Sequence, residues 1–112
     1  MSKCTWPLGN GQTLEFTVYD PNTTTWNAVP GLYIFAHVVG GYWNPLYIGQ
    51  ADDFAARIPN HERWNSALQR GVTHVHAAVV PLAANRDTWE RRLIETHQPP
   101  MNEQLRRVRA SY

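Results

Sequence analysis

Apolar and polar residues alternate at Leu14, Phe16 and Val18 against Glu15, Thr17 and Tyr19. A period of two is the mark of a half-buried strand. Asp20-Pro21-Asn22 reads as a turn, and Thr23 to Asn27 as a second strand running back. Pro30-Gly31 opens residues 31–39, GLYIFAHVV, an almost continuous apolar run and hence a strand. Gly40-Gly41 through Asn44-Pro45 predicts a loop or hairpin turn before a strand over Leu46 to Gly49. Asp52 to Arg57 has the form of a short helix with Asp52 as its cap, ended before Pro59. Asn60 caps a second helix, His61 to Arg70, closed by Gly71. Val72 to Pro81 is a strand, and a helix starting at Asn85 or Asp87 runs to about Gln98, where Pro99-Pro100 stops it. The residues from Asn102 are read as a helical end with a basic tail. This order predicts an α/β (α+β) sandwich: a small, mainly antiparallel sheet of about three core strands flanked by helices, with an extra N-terminal strand or hairpin. No repeat, low-complexity tract or linker divides residues 1–112, so a single domain is expected.

Composition narrows the class. Of the 112 residues, 43 % are apolar and 17 % charged, which suits a globular chain that buries a core without staples. Cys4 is the single cysteine and forms neither an internal disulfide nor a zinc-type motif. No segment has the length of a signal peptide's apolar run or a membrane span. The expectation is a soluble protein of a reducing compartment, the cytoplasm, with no membrane contact. Net charge is only +1, yet the basic residues are nine arginines against one lysine. Arginine's planar fork suits bidentate phosphate contact, so this asymmetry hints at a polyanionic partner. On charge alone, a solvated helix face and a basic tail are the simpler reading.

Chemistry enters through a small set of side chains. Two strands place Tyr33 and Tyr47 near the sheet centre; the next segment supplies Arg57 and His61, and a later helix supplies Glu90. Two phenols, a guanidinium, an imidazole and one carboxylate are the parts needed to hydrolyse a phosphodiester. One carboxylate suffices to hold Mg²⁺ when water and phosphate complete the shell. An arginine can stabilise the charge of the phosphorane, and a histidine or tyrosine can handle the water's proton. Taken singly, each residue has a plainer role. The tyrosines read as core aromatics, Arg57 as a helix-surface residue, Glu90 as the rim of an apolar stripe and Asn102 as a cap or turn residue. His74 and His76, two apart on a strand, are read as a polar sheet face and not a metal pair. His97 is read as a helix C-terminal dipole contact and Asp52 and Asp53 as helix-start acids.

The ordered set resembles the GIY-YIG nuclease family. Gly31-Leu32-Tyr33 and Tyr47-Ile48-Gly49 are similar to the two halves of its signature. Arg57 matches the arginine of its first helix, and His61 the histidine that some members carry four residues later. Residues 90–102, ERRLIETHQPPMN, have the family's sequence of glutamate, apolar pair, proline and asparagine. They look most like the nuclease domain of the bacterial excision-repair incision subunit. The likeness covers about residues 30–103, leaving 1–29 as an N-terminal extension and 104–112 as a basic tail. Leu32 stands where isoleucine is usual, a volume-conserving change. The resemblance implies a metal-dependent DNA endonuclease using Mg²⁺ or Mn²⁺ on Glu90. It implies Tyr33 as general base or positioner of the water, and Tyr47 as a ligand of the scissile phosphate or the water. Arg57 would stabilise the phosphorane, and His61 would assist proton transfer or bond to Tyr33. Asn102 would brace the site, while Gly31 and Gly49 permit close backbone approach. A tyrosinate base carries a difficulty, since ionising a phenol of pKa near 10 at pH 7 costs about 4 kcal/mol. Arg91, Arg92, Arg106, Arg107 and Arg109 would contact the DNA backbone, in a salt-sensitive way. A homodimer or a targeting protein would supply selectivity. The alternative is a catalytically silent nucleic-acid-binding or adaptor module of the same fold.

Overall fold

A computed structural model describes residues 2–102 of the chain. The tail arginines Arg106, Arg107 and Arg109, and the helix expected after Asn102, lie outside the described residues. Among the described residues, five strands form one antiparallel sheet: β1 (Lys3–Pro7), β2 (Thr13–Tyr19), β3 (Gly31–Val39), β4 (Tyr42–Ala51) and β5 (His74–Val79). Their order across the sheet is β1-β2-β5-β3-β4. Three helices complete the chain: α1 (Phe54–Arg57), α2 (Trp64–Gln69) and α3 (Ala83–His97). None is long and apolar enough to cross a membrane.

The sheet is larger than the expected three core strands. The N-terminal hairpin belongs to it: β2 pairs with β5 from Thr17↔Ala77 to Tyr19↔Val75, and Trp6, Leu8 and Phe16 are buried in one core. Residues 23–27 do not return as a strand, because both edges of β2 are already taken by β1 and β5. They form a loop whose Trp26 packs on Tyr19 and Phe54, with ring centroids 5.0 and 6.0 Å apart.

β3 lies between β5 and β4 and is buried on both faces from Gly31 to Ala36. That explains why it reads as an unbroken apolar run. Leu32, Ile34 and Ala36 face a core completed by Leu93 and Ile94 of α3. Tyr33 and Phe35 face a second core with Phe54, Ile58, Ala67 and Met101. Helices therefore cover both faces, as a sandwich requires. Gly40 and Gly41 both have positive φ, 60° and 85°, the backbone that a tight two-residue hairpin needs. Asn44 and Pro45 lie inside β4, not in the loop. The register shifts between Phe35/Tyr47 and Ala36/Pro45, so Leu46 is the extra residue of a β-bulge, where a proline is tolerated.

The helix bounds differ from expectation at each start. Asp53, not Asp52, caps α1, its Oδ1 accepting from the Ala56 N–H at 3.2 Å. α2 begins at Trp64 and not at His61, because the His61 ring turns inward and its Nδ1 accepts from the Arg63 N–H at 3.0 Å. α3 begins at Ala83, ahead of Asn85, and ends at Gln98 in the left-handed conformation (φ 48°), just before Pro99. His97 bonds the Pro7 carbonyl through Nε2 at 2.8 Å.

Candidate active site

The two tyrosines reach one face of the sheet by different devices. Tyr33 sits on central β3 opposite Gly49 of β4. Its ring lies directly over that glycine: a Cβ at residue 49 would stand 2.5 Å from the hydroxyl oxygen and 2.6 Å from Cζ. Tyr47 is brought to the same face by the bulge at Leu46, since removing the extra residue would turn it over. The Tyr33 and Tyr47 ring centroids are 6.3 Å apart, and Phe35 packs on both. Gly31 has a related role one strand-end away. A Cβ there would strike the Ala78 carbonyl oxygen and lie 2.6 Å from Phe54 Cζ, so glycine lets α1 dock against β3.

His61 joins this cluster from the turn between α1 and α2. Its side chain is fully buried, edge-on to Phe35, Tyr47 and Tyr33 at 4.9, 5.2 and 5.5 Å. Nε2 lies 2.7 Å from the Tyr33 hydroxyl. Because Nδ1 accepts from the Arg63 N–H, the neutral ring carries its proton on Nε2 and donates it to Tyr33. Burial first, and Arg57 second, push the imidazole down to about 4, so it is neutral at pH 7. His61 is thus a donor to Tyr33, not an acceptor waiting for the phenol's proton. Burial holds Tyr33 well above the ordinary tyrosine value, with Tyr47 and Glu90 adding to the rise and Arg57 opposing it. Tyr47 is raised for the same first reason. Both phenols keep their protons in the resting protein.

Arg57 ends α1 and pairs with Glu62 through both terminal nitrogens, Nη2 to Oε1 at 2.9 Å. The pair is open to solvent, with 37 % and 62 % of the two side chains exposed. The Glu62 bond keeps the guanidinium firmly charged and holds the Glu62 carboxyl well below its usual range. Glu90 projects from α3 and is half-buried. Gln50 of β4 reaches it, its amide donating to Glu90 Oε1 at 3.0 Å and to Asp87 Oδ1 at 2.8 Å. Burial raises the Glu90 carboxyl, and its charge in turn adds to the rise of both phenols.

The Asn102 side chain hydrogen-bonds to backbone and not to these side chains. It clasps the backbone of Ile48 between Tyr47 and Gly49, accepting from the N–H and donating to the carbonyl, each at 2.9 Å. With Met101 N–H bonded to the Leu46 carbonyl at 3.0 Å, it covers the outer edge of β4. Arg91 and Arg92 are exposed on α3. A groove beside them is lined by Gly9, Thr88 and Thr96.

The structure therefore gathers Tyr33, Tyr47 and His61 in direct contact, sets Arg57 and Glu90 within electrostatic reach, and leaves Asn102 as a backbone brace. Sequence reasoning missed Glu62 and Gln50, whose partners become visible only in three dimensions. It also missed Arg86. That residue is buried, donates to the Val80 and Pro81 carbonyls at 2.9 Å each and pairs with Asp52 at 2.9 Å. His76 corrects the expected polar sheet face: it is wholly buried. Its Nδ1 accepts from Trp6 Nε1–H at 3.0 Å, and Trp43 lies perpendicular to it at 4.5 Å.

Among the described residues no group of three or more His, Cys, Asp or Glu side chains is placed to hold a metal. Glu90 offers a single half-buried carboxylate, and a Mg²⁺-type ion takes one or two carboxylates and completes its shell with water and phosphate oxygens. A half-buried carboxylate whose charge burial disfavours is also one that a cation would favour. The chain matches no family model, no curated protein and no solved structure.

Proposed function

We propose that this chain is a divalent-metal-dependent endonuclease that hydrolyses DNA phosphodiester bonds, with a fold and active site of the GIY-YIG type. The observation that carries the reading is the hydrogen bond from His61 to Tyr33, made beside Tyr47 and within reach of Arg57 and Glu90. Tyr33 accepts from His61 and so keeps its own O–H to donate and one lone pair to accept. That suits it to orient the attacking water. Tyr47, half-buried, offers a second O–H to the scissile phosphate. Arg57 stabilises the charge that gathers on the phosphorane. Glu90 would hold Mg²⁺ or Mn²⁺, which when bound polarises the phosphate and stabilises the leaving oxygen. Asn102 keeps Tyr47 and Gly49 in register through Ile48, and Arg91 and Arg92 bind the DNA backbone.

Nicking of supercoiled plasmid tests the proposal, with Mg²⁺ or Mn²⁺, for the wild type, Glu90→Ala and Tyr33→Phe, and with EDTA as control. Nicked product that disappears with EDTA and falls at least about 100-fold in each variant is expected. Equal cleavage by all three proteins would reject the assignment. Metal-independent DNA binding without cleavage would favour a silent binding module.

A further inference from the structure

We infer that Glu62 is the positioning residue of Arg57: it grips the guanidinium end-on and turns the remaining Nε–Nη2 edge toward the scissile phosphate. The inference rests on the nuclease reading above. A guanidinium carries five N–H donors in one plane. Glu62 engages one hydrogen on Nη1 and one on Nη2, so the Nε–H and the second Nη2 hydrogen remain as a bidentate fork. Without a partner, Arg57 would be a long, rotamer-rich side chain at the end of a four-residue helix, more than a third exposed.

Glu62 is well placed to fix it. It follows His61, which is pinned at both ring nitrogens, so the stretch of chain bearing Glu62 is anchored in the core. Glu62 itself is mostly exposed, and its Oε2 lies 3.9 Å from His61 Nδ1. An ion pair as open as that with Arg57 adds little to stability, so its consequence is geometric. Arg57 acts on both tyrosine hydroxyls and on His61, so its placement matters to each of them. The carboxylate is largely exposed, whereas Tyr33 and His61 are buried and Tyr47 is half-buried.

The test is steady-state cleavage of a short DNA duplex with Mg²⁺ by the wild type, Glu62→Gln, Arg57→Ala and the double variant. Glu62→Gln is expected to lower kcat roughly 3- to 10-fold and leave KM within about twofold, because a misaimed guanidinium loses mainly transition-state contact. In the Arg57→Ala background the same substitution is expected to change nothing, since its effect passes through the guanidinium. Glu62→Asp, which keeps the charge, restores part of the rate. The Arg57 Nε–H resonance, observed with Ca²⁺ in place of Mg²⁺, should shift on adding the duplex and broaden in Glu62→Gln. A lower KM with unchanged kcat in Glu62→Gln would overturn the inference and make Glu62 a competitor of the phosphate. An equal loss in both backgrounds would overturn it too. A wild type that neither cleaves nor binds DNA would remove the nuclease reading and this inference together. Failure of the inference alone requires a wild type that cleaves.

Discussion

At Gly49 the space that a methyl group would need is filled by the Tyr33 phenol, whose oxygen would be 2.5 Å from a Cβ. The phenol can yield only at a cost, because the ring is buried and its hydroxyl is held by His61. Gly49→Ala should cost about 1–3 kcal/mol, read as a lower urea midpoint at unchanged slope. Plasmid nicking by the fully folded variant should fall as well, because the phenol must move. A variant with wild-type stability and rate would show that Tyr33 is not held there. Glu90 gives the opposite pairing of effects. Its charge is disfavoured by burial, and glutamine keeps an oxygen for the Gln50 amide. Glu90→Gln is therefore expected to melt no lower than the wild type while losing metal-dependent cleavage. A thermal scan beside the nicking assay decides this, and a clear loss of stability would contradict it. Such side chains differ in how far the sequence shows them. Tyr33, Tyr47, Arg57, His61 and Glu90 stand out because a fixed order of residue types marks them. Glu62, Gln50 and Arg86 do not, since each is defined by a partner that only folding brings near. Which proton His61 carries was equally hidden, being set by the backbone N–H of Arg63.

Elements add constraints that no single side chain carries. The bulge at Leu46 reverses the alternation of β4, so Ile48 faces α3 while Leu46 and Tyr47 join the opposite core. Asn102 holds the strand next to that irregularity by a two-point clasp on Ile48. Asn102→Ala removes both bonds and uncovers an edge. A loss of about 1–2 kcal/mol is expected, with faster amide exchange at Ile48. Asn102→Asp should be at least as damaging, because a carboxylate can accept from the N–H but cannot donate to the carbonyl. Unchanged exchange at Ile48 in both variants would show that the clasp is not what orders β4. The strands β2, β3 and β5 and the end of α3 were legible, because period, apolar runs and Pro99-Pro100 are local signals. β1 and the bulge were not. Lys3–Pro7 is a strand because β2 offers it an edge, and the bulge depends on which residues of β3 lie opposite. The start of α2 failed for a related reason, since His61 is drawn into the core and cannot begin a helix.

Across the whole molecule the sheet carries two cores, and each contains one buried neutral histidine. His61 sits with the tyrosines, and His76 sits between Trp6 and Trp43 on the other face. Burial pushes both down to about 4. In the unfolded chain each titrates near the ordinary value of about 6.5. Between pH 6.5 and 4 the unfolded state therefore binds protons that the folded state refuses, and stability must fall as pH falls. If both histidines act, the loss from pH 7 to pH 4 is on the order of several kcal/mol, a large share of what holds an ordinary domain together. His76 has the fewer means of accommodating charge. Its Nδ1 already accepts from Trp6, and its Nε2 has no hydrogen-bond partner and faces aromatic surroundings. The protein is thus expected to lose most of its stability through this window, followed as the urea midpoint at half-unit steps of pH. His76→Gln keeps an acceptor for Trp6 and removes one titrating group, so its stability curve should be flatter from pH 6.5 to 4, whatever its stability at pH 7. His61→Gln should flatten the same window independently, because the two rings lie on opposite faces of the sheet. A wild-type curve that is level down to pH 4 would mean that the folded protein accepts these protons after all, and that neither histidine is held neutral by its core.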